Sequence, residues 1–167
     1  MTLSDIAAGI EVVDEQRDCG VATVDGTGGD PADALSEYDD RLPCTPRQAA
    51  AVLEAFVGGA AVGAAAREAG LVPVTAAKTL HLLGVEGVSP LAPTGRDVVR
   101  DWLSAELSHA TARELTGASE REFALAAFVE ARDPIEGTKT VVEGVRSDRS
   151  NAAVEKRDLL AETMGGL

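Results

Sequence analysis

Apolar residues in this chain recur mostly at three- and four-residue intervals, and strand-like alternation is scarce. Ile6, Ile10 and Val13 predict a helix from Ser4 to about Arg17. Val21–Val24 reads as one short extended segment, followed by an acidic glycine turn that reaches Pro31. A second helix is expected from Pro31 to Asp39. Thr45-Pro46-Arg47-Gln48 combines an N-cap hydroxyl, a proline in the first helical turn and a glutamine placed to close a capping box. The helix it opens carries Ala49, Val52, Leu53 and Phe56 as its buried stripe and stops at Gly58-Gly59. Two shorter helices follow, at about 62–69 and 73–83. Pro90, Pro93 and Gly95 mark a connector. Thr94 is then expected to cap a helix through Leu107, with Val98, Val99, Trp102 and Leu103 inward. Ser108 starts a short helix ending at Gly117, and Ser119-Glu-Arg-Glu122 is a second capping box. The helix beyond it packs through Phe123, Ala126, Ala127 and Val129 until Asp133-Pro134 stops it. A weaker helix spans 135–145. From Arg146 onward the chain is polar, and a frayed tail is expected.

The fold class is therefore mainly α. Its divisions are an acidic, partly helical segment 1–44, a three-helix domain 45–88, a C-terminal helical subdomain 94–145 and a flexible tail 146–167. Composition narrows how such a fold is filled. Hydrophobic residues make up 45% of the chain but aromatics only 3%, so the core is built from Ala, Val and Leu. The formal net charge is −13, and the only lysines are Lys78, Lys139 and Lys156. An acidic, lysine-poor chain of this kind resembles the cytoplasmic proteins of salt-in halophiles, where surface charge maintains solvation. The charge is uneven. Residues 1–44 hold eleven acids against Arg17 and Arg41, whereas residues 45–85 hold Arg47, Arg67 and Lys78 against Glu54 and Glu68. Only the central segment escapes the acidic trend.

Candidate chemistry is sparse. Cys19 and Cys44 suggest no disulfide framework, no leader or membrane-length apolar run is evident, and a reduced, cytoplasmic protein is expected. His81 and His109 lack the paired ligand spacing of a zinc site. The Asp25–Pro31 glycines lack the Lys-Ser/Thr of a phosphate loop. No catalytic constellation appears, so neither an enzyme nor a metal, cofactor or small-molecule ligand is expected.

The segment AAREAGLVPVTAAKTL has the spacing of a helix-turn-helix: a small residue, Ala66, inside one helix, a turn glycine, Gly70, then a second short helix. Gly59, Ala66-Arg67-Glu68, Gly70, Leu71 and Val74-Thr75-Ala76 resemble the trihelical DNA-binding domains of resolvases, invertases and transposases. The resemblance covers Thr45–Val85, about a quarter of the chain. It implies that Arg67 pairs with a phosphate while the helix at about 73–83 presents Val74, Thr75, Ala77, Lys78 and His81 to the major groove. Helical geometry independently sets those five on one face and Ala76, Leu80 and Leu83 on the other. The expected function is that of a DNA-binding transcriptional regulator acting on double-stranded DNA, with a possible homodimer formed through the C-terminal helices. The reading face has one lysine and no Arg, Asn or Gln, which motivates an alternative: a protein-interaction module that keeps the fold without binding DNA. Arg96 and Arg100 offer a second phosphate-contacting surface. Residues 108–131 fit either a degenerate second helix-turn-helix or a plain αα-hairpin, and the loose turn pattern favours the hairpin.

Overall fold

The computed structural model describes residues 29–165. The expected helix at 4–17, the extended Val21–Val24 and most of the acidic turn lie outside the described residues. The chain divides into two units, Met1–Asp30 and Pro31–Leu167. Its described elements are helical throughout, confirming the mainly α class.

Helix α1 (Pro31–Leu35) runs into a 3-10 turn at Ser36–Arg41, so the expected single helix to Asp39 tightens at its midpoint. Helix α2 (Pro46–Val57) starts as its sequence dictates. The Thr45 hydroxyl accepts from the Gln48 amide, and the Gln48 side chain accepts from the Thr45 amide. Helix α3 (Val62–Ala69) ends at Gly70, whose φ of 68° lies in the left-handed region. Helix α4 (Pro73–Leu82) follows after three residues. Leu35, Val52, Leu53, Ala65, Ala66, Leu80 and Leu83 fill the core among these helices. That much alanine lets the backbones approach closely and leaves little room for larger side chains.

A second three-helix group follows: α5 (Pro93–Leu103), α6 (His109–Thr116) and α7 (Glu120–Ala131). Each element begins 47 residues after its counterpart in the first group: Pro46 and Pro93, Val62 and His109, Pro73 and Glu120. The turn glycines Gly70 and Gly117 keep that offset, and Gly117 also has positive φ, 62°. Buried positions follow the same register, as in Val52/Val99, Ala65/Ala112, Ala76/Phe123 and Thr79/Ala126. With α5, residues 108–131 repeat the first unit's order and spacing. The second core is smaller. Val99, Ala112, Phe123 and Ala126 centre it, Trp102 packs against it, and Trp102, His109 and Phe123 meet edge to face at 5.0–5.5 Å.

Two expectations are corrected in the second unit. Ala92, not Thr94, is the N-cap of α5, and the helix stops at Leu103, which is exposed rather than inward. Ala105, with φ 61°, turns the chain there. A third correction concerns the tail. Residues 138–165 form one continuous 28-residue helix, α8 (Thr138–Gly165), whose first part buries Thr138, Val142 and Val145. That part packs on α1 and α2.

Candidate nucleic-acid interface

The six residues expected at the DNA surface separate into three groups. Arg67 and Val74 are exposed. The Arg67 Nε donates to the Gly63 carbonyl one turn earlier, at 3.4 Å, and no ion pair holds its guanidinium among the described residues. Val72, the N-cap of α4, is 65% exposed and Val74 is 37% exposed, so the first turn of α4 is open. Thr75 is half-buried, and its carbonyl accepts from the Thr79 hydroxyl at 2.8 Å.

Ala77 is a correction. It is only 3% exposed and belongs to the first core. The ideal wheel treats α4 as covered from one side, but α7 covers a second: α4 packs on α2, α3 and α7, and Leu125 of α7 reaches the first core. The buried arc therefore runs from Thr79 through Ala76 and Leu80 to Ala77.

Lys78 and His81 form the third group and are half-buried. Phe128 of α7 lies beneath both. The Lys78 ammonium is 4.9 Å from the Phe128 ring centroid, and the His81 ring meets it edge to face at 6.1 Å. The Arg132 guanidinium covers the same ring at 4.6 Å. His81 Nε2 is 2.6 Å from the Arg132 carbonyl oxygen, a distance that makes this nitrogen the N–H donor. His81 is thus a packing residue between the units rather than a free side chain on a reading face. At the 47-residue offset Lys78 and His81 correspond to Leu125 and Phe128, so equivalent faces of α4 and α7 meet.

The suggested second phosphate surface is also corrected. The Nε groups of Arg96 and Arg100 donate to the two oxygens of one carboxylate, Glu130, at 2.5 and 2.6 Å, and Arg100 also reaches Asp97 at 2.8 Å. The Glu130 side chain is only 5% exposed. Burial pushes its carboxyl upward, but the hydrogen bonds and charges of the two arginines outweigh this and hold it below the usual carboxylate range. These arginines tie α5 to α7 and are already neutralised. Sequence patterning missed Glu130 because its partners lie thirty or more residues away.

An open groove of about 830 Å³ lies beside this clamp, between the 83–89 connector and the 134–139 loop. His81, Ser89, Arg96, Val129 and Lys139 contribute to its wall. The loop is tied to the end of α4, since the Ile135 amide donates to the Leu82 carbonyl at 2.7 Å. Among the described residues no group of three potential metal ligands converges, and no helix is long and apolar enough to cross a membrane.

Comparison with known proteins adds a family and no activity. The model of the DUF7858 family, a family of unknown function, matches residues 1–167. The chain belongs to that family. No curated protein and no solved structure matches it. Family membership therefore leaves the function to the geometry of the DUF7858 fold.

Proposed function

We propose that this protein binds double-stranded DNA as a cytoplasmic transcriptional regulator, through the open end of α4 and the neighbouring Arg67. The observation that carries this reading is which end of α4 is uncovered. In helix-turn-helix recognition the N-terminal residues of the second helix meet base edges, and the first helix crosses the phosphate backbone. Here α7 covers the middle of α4 at Lys78 and His81, while Val72, Pro73 and Val74 at its start remain exposed. Arg67, on α3, provides the cation for a phosphate, Val74 an apolar contact for a thymine methyl and Thr75 a hydroxyl. The acidic composition is read as adaptation to concentrated salt, and a homodimer would double the few contacts each chain provides.

The test is binding of a mixed-sequence duplex, followed by fluorescence anisotropy, for the full chain and for Arg67→Ala combined with Thr75→Val. Loss of about 1.4 kcal/mol at one contact corresponds to tenfold, so a fall of at least that size is expected. Unchanged affinity in a folded double variant refutes the proposed surface.

A second reading, the protein-interaction module, draws on the engagement of Lys78 and His81 by Phe128 and on the apolar, uncharged first turn of α4. Folded wild type that binds no duplex at any salt concentration would leave this reading in place of the first.

A further inference from the structure

Every residue of α8 from Arg146 to Gly165 is exposed, including Val154, Leu159, Leu160 and Met164. Those twenty residues make a rod about 30 Å long at 1.5 Å per residue. Its charges balance: Arg146, Arg149, Lys156 and Arg157 against Asp148, Glu155, Asp158 and Glu162. They are also segregated. At 3.6 residues per turn the four bases fall within an arc of about 100°, and the four acids within about 80° on the opposite side. A chain of net charge −13 thus carries a helix with one face whose charges are all basic.

The root of this helix has a defined place. Arg149 Nη2 donates to the Gly58 carbonyl at 3.3 Å, and a Cβ added at Gly58 would meet that guanidinium at 2.8 Å. The helix therefore leaves the body beside the Gly58–Ala61 connection, which leads directly into the N-terminus of α3. That helix is the one expected to cross the phosphate backbone.

We propose that the exposed part of α8 is an arm that lies along the phosphate backbone of duplex DNA, contacting it through Arg146, Lys156 and Arg157. The proposal rests on the DNA-binding reading and supplies the cations that the α4 end lacks. Charge complementarity selects a polyanion as the occupant. A lipid surface fits less well, because the apolar residues between the bases, Ala153, Leu160 and Met164, span an arc of only about 40°, and Val154 and Leu159 fall outside it. Insertion into a bilayer needs a broad apolar face, on the order of 100° wide. A second copy docking through the same face would bring like charges together.

The experiment is anisotropy with a 30-base-pair mixed duplex across a KCl series. It compares the full chain, Arg146→Ala/Lys156→Ala/Arg157→Ala, and Arg67→Ala, with circular dichroism confirming that helix content is retained. Each phosphate contact contributes about 0.9 to the slope of log affinity against log salt, so the triple variant should lower the slope by about 2.7 and Arg67→Ala by about 0.9. A triple variant with unchanged slope, alongside a weakened Arg67→Ala, overturns the arm and leaves the α4 surface standing. Absence of wild-type binding at all salt concentrations overturns both. Anionic phosphatidylglycerol vesicles and sedimentation velocity complete the test. If the triple substitution abolishes vesicle binding or self-association while leaving the DNA slope intact, the arm has another partner and the proposal fails.

Discussion

The two three-helix units share an order of elements, a 47-residue offset and a left-handed glycine between their second and third helices, yet they use equivalent surfaces differently. In the first unit the position corresponding to Glu114 is Arg67, and the start of α4 carries Val74 and Thr75. In the second those positions are Arg121 and Glu122, with Glu120 beginning the helix. Carboxylates at the end of a helix that would face phosphates repel them, although they favour the helix itself by complementing its dipole. The corresponding face of α7 instead supplies Leu125 to the first core and Phe128 to Lys78 and His81. One unit thus keeps an uncovered end while the other has become its brace. The arrangement shows how one backbone motif can present different surfaces: side chains at a few positions decide whether a helix end stays open or packs on a neighbouring helix.

The strongest way to break this comparison is to remove the smaller core. Phe123→Ala deletes the largest buried side chain of the second unit and should cost about 4 kcal/mol. Trp102, the only tryptophan, packs against Phe123 and reports that unit separately. Its fluorescence should unfold at lower denaturant than the far-ultraviolet signal, which averages all helices. A single coincident transition would show that the units are one cooperative body.

Glu130→Gln comes next, with an expected loss of about 2 kcal/mol because two charge-assisted hydrogen bonds weaken. The pH dependence has a fixed sign. Because the folded protein holds this carboxyl below its ordinary value, the stabilisation is present above that value and disappears as pH falls through the lowered one. Wild type should therefore lose more stability than Glu130→Gln on acidification from about pH 5 to about pH 3, measured by urea melts at each pH. Parallel profiles would show that the clamp adds nothing.

The turn glycines allow the comparison to be sharpened. No atom lies within 4 Å of a Cβ built on Gly70 or Gly117, so Gly→Ala at either tests the left-handed backbone alone. Each substitution should cost about 1 kcal/mol by thermal melting, and the two should agree. A large difference would mean that the turns are not equivalent. The smallest effect is expected at Thr79, buried in the first unit where the second has Ala126. Its hydroxyl donates to the Thr75 carbonyl and lies 3.4 Å from the Cys44 sulfur. Thr79→Ala should cost about 1 kcal/mol or less, because the Thr75 carbonyl keeps its helical partner. Burial also pushes the Cys44 thiol upward, partly offset by the Thr79 hydrogen bond. Removing that hydroxyl should slow the reaction of Cys44 with a thiol reagent in a Cys19→Ser background.

Much of this architecture was legible from local signals. Both capping boxes form as written, Thr45 with Gln48 and Ser119 with Glu122, because each needs only four consecutive residues. The turns at Gly70 and Gly117 are equally local. The repeat was harder to see. Matched positions carry Ala76 and Phe123, or Ala66 and Arg113, and little identity remains once packing partners differ. Part of the expected reading face, Ala77, Lys78 and His81, is engaged within the fold for a related reason. A helical wheel ranks positions by angle, but it cannot know that α7 lies against Lys78 and His81 or reaches the core that buries Ala77. The tail erred in the other direction: its residues suit a helix but offer too narrow an apolar stripe to predict one, and α8 reads as a continuation from the Thr138–Val145 turns docked on α1 and α2.

By itself, then, the sequence determined the two capping boxes, the αL turns, the alanine-built core and the acidic charge balance. Each of these depends on a few neighbouring residues or on composition. Only the tertiary structure decided that two distant arginines share Glu130, that α7 closes most of the α4 face and that its first turn stays open. Those outcomes depend on which surfaces meet across gaps of thirty to fifty residues, and no local period records them.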